Sequence, residues 1–265
     1  VDLSISAAMA TRADFDEDTN VAKEYELMHT LRIIIFDGSD KVEHNDLFTF
    51  NGVFEASKQI FKVKKNETKT VYLLANCESF ENIANKDITK ETLDAIELTG
   101  RDGLLQIQEN GSKWLPATAK YSINVGGENK IADLWIAHAA NKISFEFANE
   151  SGQEVTISEW RLNAVAQNSY LIPHITGEDE DTPEADRWYS KVLAQYNNAD
   201  LSGEDTGVTN YNIPDDANQE IFNEELEEEI TIPDEGTASL YSAQEPFYLH
   251  ESKANADQTT GKQLY

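Results

Sequence analysis

At 265 residues the chain is long enough for one large domain or two ordinary ones. Its 49 acids against 21 bases give a formal charge of −28, which argues against nucleic acid and anionic membrane surfaces as direct partners. A hydrophobic share of 40% supplies a packed core, and the single cysteine, Cys77, excludes an internal disulfide and cysteine-rich zinc sites.

In chain order, Val1, Leu3, Ile5, Ala7 and Met9 alternate with Asp2, Ser4 and Ser6. A period of two predicts a strand with one buried and one wetted face. Leu31 to Phe36 is a nearly continuous apolar run ended by Asp37-Gly38, which reads as a central strand and its turn. Thr70 to Ala75 reads the same way, and Cys77 just beyond it reads as a small buried apolar residue. Thr89 caps a predicted helix that places Leu93 and Ile96 on one face, with Glu91 in its first turn. Further short strands are expected at Gly103 to Gln108, Ala119 to Val125, Ile131 to Ala137, Ile143 to Ala148 and Glu154 to Ser158. Asn110-Gly111, Gly126-Gly127 and Asn149 to Gly152 supply turns. So many short strands with turn punctuation predict an antiparallel sandwich.

A step in charge follows Tyr170-Leu171-Ile172-Pro173. Residues 1–170 carry 27 acids and 17 bases, residues 171–265 carry 22 acids and 4 bases. The acidic run Glu178 to Asp181 reads as a linker or exposed loop, so a boundary is expected between residues 172 and 173. Beyond it, Thr182, Pro183 and Glu184 open a second predicted helix with Trp188, Val192 and Tyr196 on one face. An acidic segment at Asn223 to Glu229 and short strands at Ile230 to Ile232 and Phe247 to His250 complete the pass. No stretch reaches the roughly 20 apolar residues of a spanning helix. No signal peptide is read, which leaves a cytosolic protein or a processed form.

Catalytic signatures are lacking. His29, His44, His138, His174 and His250 stand apart at spacings that make no local metal motif, and no nucleophile elbow, phosphate loop or dinucleotide fingerprint occurs. The acids show no pair set in an apolar, aromatic surround that would raise a pKa for acid–base work. The reading is therefore a protein that is not an enzyme and needs no cofactor. Asp14, Asp16 and Asp18 mimic the start of a calcium loop, but Thr19 replaces its glycine and Tyr25 its final glutamate. A looser calcium site there or at Glu178 to Asp181 stays open beside the plain reading of solvated acidic loops. Three sequons, at Asn66, Asn110 and Asn149, match N-glycosylation in form.

The opening segment is more telling. An alternating strand runs into Ala10-Thr11-Arg12-Ala13 and then an acidic run, Asp14 to Asp18. A strand tethered by a polar loop with one arginine is released by a single cut between Arg12 and Ala13. Val1, Leu3, Ile5 and Met9 would fill its slot at roughly 1.5–3 kcal/mol each, on the order of 6–12 kcal/mol together. An ordinary first strand and loop is the bland alternative.

Several stretches resemble one family, the Bacteroidales fimbrillins, subunits of type V pili. Leu31-Arg32-Ile33-Ile34-Ile35-Phe36-Asp37 resembles its L-x-V-L-I-F-D strand, and Val71-Tyr72-Leu73-Leu74-Ala75-Asn76 its V-Y-x-L-A-N strand. His138 to Ile143 resembles R-x-x-A-K-I, without the arginine and with Asn141 for alanine. Ser169 to Pro173 resembles the end of the N-terminal domain, and Phe247 to Ser252 the F-Y-x-x-E-S strand. The resemblance implies two transthyretin-like Greek-key β-sandwich domains, here residues 1–172 with a removable first strand and an acidic 173–265. The second is expected to be incomplete, because family members continue well past F-Y-x-x-E-S. It further implies export as an outer-membrane lipoprotein precursor, cleavage by an arginine-specific surface protease at Arg12-Ala13, and head-to-tail assembly with other pilin subunits in a cell-surface fimbrium. The different-class alternative is an adhesin module at a pilus tip or base that binds a host protein or glycan through Trp114, Trp160 or Trp188.

Overall fold

The computed structural model describes residues 1–9, 23–107, 111–143, 145–172, 174–175, 211–212, 219–240 and 247–250. Strands dominate it. They are β1 (Asp2–Met9), β2 (Met28–Phe36), β3 (Val42–Val53), β4 (Glu55–Lys62), β5 (Glu67–Ala75), β6 (Glu97–Thr99), β7 (Gln106–Ile107), β8 (Lys113–Trp114), β9 (Ala117–Val125) and β10 (Lys130–His138). The series continues with β11 (Asn141–Ile143), β12 (Phe145–Ala148), β13 (Val155–Ala166), β14 (Asn168–Tyr170), β15 (His174–Ile175), β16 (Tyr211–Asn212), β17 (Gln219–Ile232), β18 (Thr237–Leu240) and β19 (Phe247–Leu249).

Seven strands form one hydrogen-bonded series, β3-β2-β5-β9-β10-β1-β4. It folds over at β10. The end of β10 pairs with β9 through Ala137 and His138, and its earlier residues, Lys130 to Ile136, pair with β1. Layers β3-β2-β5-β9 and β10-β1-β4 thus face each other across a core that contains Leu3, Ile5, Leu31, Ile33, Phe61, Leu73, Ala119 and Ile136. This is the expected β-sandwich.

The other face of β2 and β5 carries a second core. Ile34, Phe36, Tyr72 and Leu74 pack there against Cys77, Ile83, Leu93, Leu98 and Leu171, contributed mainly by the segment after β5. That explains why the runs at 31–36 and 70–75 read as continuous rather than alternating: both faces are covered. Cys77 is fully buried, as read. Asn76, at φ 59°, closes the end of β5. Its amide oxygen accepts from the backbone of His29 (2.9 Å) and Thr30 (3.3 Å), and its nitrogen donates to Leu27 O (2.8 Å) and Leu115 O (3.0 Å).

Several expectations need correction. The predicted strand at Gly103 to Gln108 is a 3₁₀ turn, Arg101–Leu104, followed by the two-residue β7. Gly100 at φ 68° breaks the extended path, and Leu104 turns into the second core. The α-helix after Thr89 is Lys90–Asp94, capped by Thr89 Oγ1 accepting from Thr92 N at 3.2 Å, and it ends before Ile96. Strands β3 and β4 were not anticipated. They are the two end strands of the series, and their mixed exposure gives little periodic signal. The acidic segment 223–229 lies inside β17, which pairs with β13 along nearly its whole length. The helix expected after Thr182 lies outside the described residues.

Hydrogen bonding also crosses residue 173. Strand β11 pairs with β19, β12 with β18 and β13 with β17.

Candidate functional site

The site is the slot that β1 fills. Strand β1 lies between β10, to which it runs parallel, and β4, to which it is antiparallel. Leu3, Ile5, Ala7 and Met9 point into the first core at 0%, 1%, 2% and 3% exposure. Val1 is only half-buried, so the slot is filled by three large side chains and one methyl. Burial of Leu3, Ile5 and Met9 stabilises by about 5–9 kcal/mol as an upper bound. Leu3 stands between Phe61 of β4 and Lys130 of β10, and Met9 is level with Ile136. The register to β4 slips between Ile5 and Ala7, so the strand carries a bulge.

Both ends of β1 are tied by backbone. Val63 N donates to Val1 O at 3.0 Å and Met9 N to Phe54 O at 2.8 Å. Asp2 N donates to Asn129 Oδ1 at 2.9 Å. On the outer face, Ser6 Oγ donates to Asp133, and Asp2 meets Lys62 at 3.7 Å across an exposed surface. Apart from these polar ties, the strand is held by a ladder and an apolar face, which any chain with alternating apolar residues can reproduce. The alternation of residues 1–9 gave β1 and the run at Ile131 to Ala137 gave β10, one wall of the slot, while β4, the other wall, was missed. Phe61 in a lysine-flanked segment was the available signal for β4.

Arg12 and Ala13 lie outside the described residues, as do Asp14, Asp16, Asp18 and Glu178 to Asp181. The chain resumes at Lys23 and makes a 3₁₀ turn at Glu24–Glu26. Glu26 is buried there and binds three partners. Tyr248 Oη donates to it at 2.5 Å, Lys142 Nζ at 2.9 Å, and Lys23 N at 2.5 Å. Burial opposes its charge, but Tyr248 and Lys142 outweigh it and hold the carboxyl below its ordinary pKa. His138 Nε2 donates to Glu26 O at 2.9 Å, and burial pushes that imidazole's pKa down. Three of the stretches that carry the resemblance therefore meet in space: Lys142 on β11, Tyr248 on β19, and the pair Ser169–His250. In that pair Ser169 Oγ donates to His250 Nδ1 at 2.9 Å, while His250 Nε2 donates to Gly100 O at 2.9 Å. A serine bonded to a histidine is the geometry of a nucleophile and its base. Here both residues are buried, at 0% and 2% exposure, so substrate has no access and the pair is a fastening.

The aromatic alternative fares unevenly. Trp114 is half-buried and stacks on His29, with ring centroids 4.6 Å apart and planes 6° apart. Trp160 is half-buried against Phe145 at 5.5 Å. Trp188 lies outside the described residues. Of the sequons, Asn149 is unavailable for glycosylation, because its nitrogen donates to Gln153 O (2.8 Å), Ile232 O (2.9 Å) and Pro233 O (3.0 Å). Asn66 is exposed, and Asn110 lies outside the described residues. Among the described residues no group of three or more His, Cys, Asp or Glu side chains is placed to hold a metal ion.

No protein-family model and no curated protein sequence matches the chain. Among solved structures, a candidate cell adhesion protein from Parabacteroides distasonis aligns with a TM-score of 0.54 at 12% identity, over 96% of this chain and 72% of that one. The tip fimbrial protein Mfa3 from Porphyromonas gingivalis, in a C-terminally truncated form, aligns with a TM-score of 0.45 at 13% identity, over 69% of this chain and 61% of that one. A fimbrial assembly protein from Parabacteroides distasonis aligns with a TM-score of 0.41 at 11% identity, over 89% and 86%. The first of these carries the comparison. The described strands share the β-rich fold of that Parabacteroides protein.

Proposed function

We propose that the chain is a structural subunit of a cell-surface pilus, exported as a lipoprotein precursor and assembled by protease-triggered exchange of β1 for a strand of the next subunit. The observation that supports this most is the seat of β1, a central strand whose four core-facing residues are 0–3% exposed and whose neighbours on both sides are other parts of the chain. Cleavage between Arg12 and Ala13 turns that strand into a non-covalent ligand. Its departure leaves two unpaired strand edges and an apolar slot. A neighbour's strand restores both, the ladder giving affinity and the alternate side chains register. Because donor and acceptor are different surfaces, the contact is head-to-tail, and where its rotation does not close into a ring a filament grows. In this reading residues 1–172 hold the acceptor slot. The acidic residues 173–265 form the second unit, whose β17, β18 and β19 pair back onto β13, β12 and β11. Pilus subunits of this kind support adhesion.

The test is digestion with an arginine-specific protease followed by gels run without boiling. Loss of residues 1–12 with a ladder of heat-labile oligomers is expected. Trimmed protein that stays monomeric when a subunit with its own donor strand is supplied contradicts the proposal. The likeness to a candidate adhesion protein favours one second reading, an adhesin module at a tip or base. It requires saturable binding on a glycan or host-protein array, abolished by Trp114→Ala without unfolding.

A further inference from the structure

Within a chain of net charge −28, residues 55–65 hold four lysines and one glutamate. Lys58, Lys62, Lys64 and Lys65 are all exposed on or just after β4. Lys62 keeps 92% of its side chain in solvent, reaching Asp2 only at 3.7 Å, and Lys64 is paired with Asp37 at 2.5 Å. Lys58 and Lys65 form no ion pair with another described residue. Two of the four exposed large apolar side chains among the described residues stand on the same face. Ile60 (65% exposed) and Ile131 (60%) are both in register with Ser4, one on each side of β1. The outward residues of β1 between them are small, Ser4, Ser6 and Ala8, so the isoleucines rise above a shallow trough.

Lysines on an end strand commonly deter edge-to-edge pairing. That role accounts for the charges but not for Ile60 between Lys58 and Lys62, nor for Ile131 two strands away. A basic rim around exposed apolar side chains is the make-up of a docking face for an acidic partner. The chain carries such a partner itself: residues 171–265 have 22 acids and 4 bases.

We infer that the outer face of β4-β1-β10 docks the acidic half of a second copy of this chain. The inference rests on the pilus reading and deepens it. The face borders the slot, so an incoming subunit held there lies beside the groove. Two chains of −28 repel at long range. At about 0.15 M ionic strength the Debye length is about 8 Å, so local complementarity at contact outweighs the distant charges.

The experiment compares Lys58→Glu/Lys62→Glu with the control Lys86→Glu/Lys113→Glu, which changes net charge equally at exposed positions elsewhere. A third variant is Ile60→Ser/Ile131→Ser. All replaced residues are exposed, and thermal melts confirm folding. Sedimentation velocity on the uncut chain reads docking without strand exchange, and the rate of laddering after arginine-specific cleavage reads its consequence. The wild type is expected to self-associate weakly. The face variants are expected to lose that association and to ladder about tenfold more slowly, as for lost electrostatic steering, while the control follows the wild type. Cut wild type that never ladders, while association is lost only in the face variants, refutes strand exchange and upholds the docking face. Face variants that match the control in both assays overturn the inference.

Discussion

Strands β1 and β2 each lie in the middle of a layer, yet they are built differently. All nine residues of β2 are buried, because Leu31, Ile33 and Ile35 enter one core while Ile34 and Phe36 enter the other. Its one cation, Arg32, is spent on Glu78 at 3.0 and 2.5 Å and on Asn45 at 2.8 Å. Strand β1 faces a single core, and the opposite face presents Asp2, Ser4, Ser6 and Ala8. Removing β2 would open two cores and strand a guanidinium network. Removing β1 opens one slot. The difference is why the proposed exchange falls on β1: its removal opens one core, where removal of β2 would open two.

The largest expected effect comes from taking β1 away. Cleavage and removal of residues 1–12 should lower the melting temperature by about 10 °C or more, given the 2–4 °C per kcal/mol of a chain this size. A peptide of residues 1–9 should restore it and block laddering. Next come core truncations. Leu3→Ala and Ile33→Ala should each cost about 2–5 kcal/mol in the uncut chain by denaturant unfolding. In strand-exchanged oligomers the Leu3→Ala penalty should vanish, because that strand has gone, and the Ile33→Ala penalty should persist. Asn76→Ala removes the partner of four buried backbone groups and should cost at least about 2 kcal/mol. Ser4→Ala should stay within about 0.5 kcal/mol.

Acid should separate the regions further. Burial depresses the pKa of His138 and His250 in the folded chain, so the unfolded chain binds more protons. The stability they contribute is complete above their ordinary value of about 6.5 and declines as pH falls below it. Glu26 adds a second loss at lower pH, since its folded value is also depressed. Glu26 ties β11 and β19, and His250 fastens the end of β19 to Ser169 and Gly100. His138, at the end of β10 beyond its pairing with β1, binds the Glu26 turn. Hydrogen exchange between neutral and mildly acid pH should therefore quicken first at Phe247–Leu249, with the amides of β2 unchanged.

The alternation at residues 1–9 and the apolar runs at 31–36 and 70–75 were legible because burial on one or two faces writes directly into residue type. Strands β3 and β4 were not, since an end strand of a layer needs only scattered apolar residues, such as Phe48 and Phe61. Segment 223–229 hid in its acidity. A backbone ladder tolerates many side chains, so composition concealed the strand. Three ladders cross the step in charge at residue 173. Glu26, Lys142 and Tyr248 were out of reach of local reading, because the glutamate lies 116 and 222 residues from its partners.

Native mass spectrometry of the cleaved protein tests the central claim most directly. The account predicts that residues 1–12 stay bound in the monomer and are missing from every subunit that has accepted a neighbour's strand. Oligomers that retain that fragment at full occupancy would contradict it.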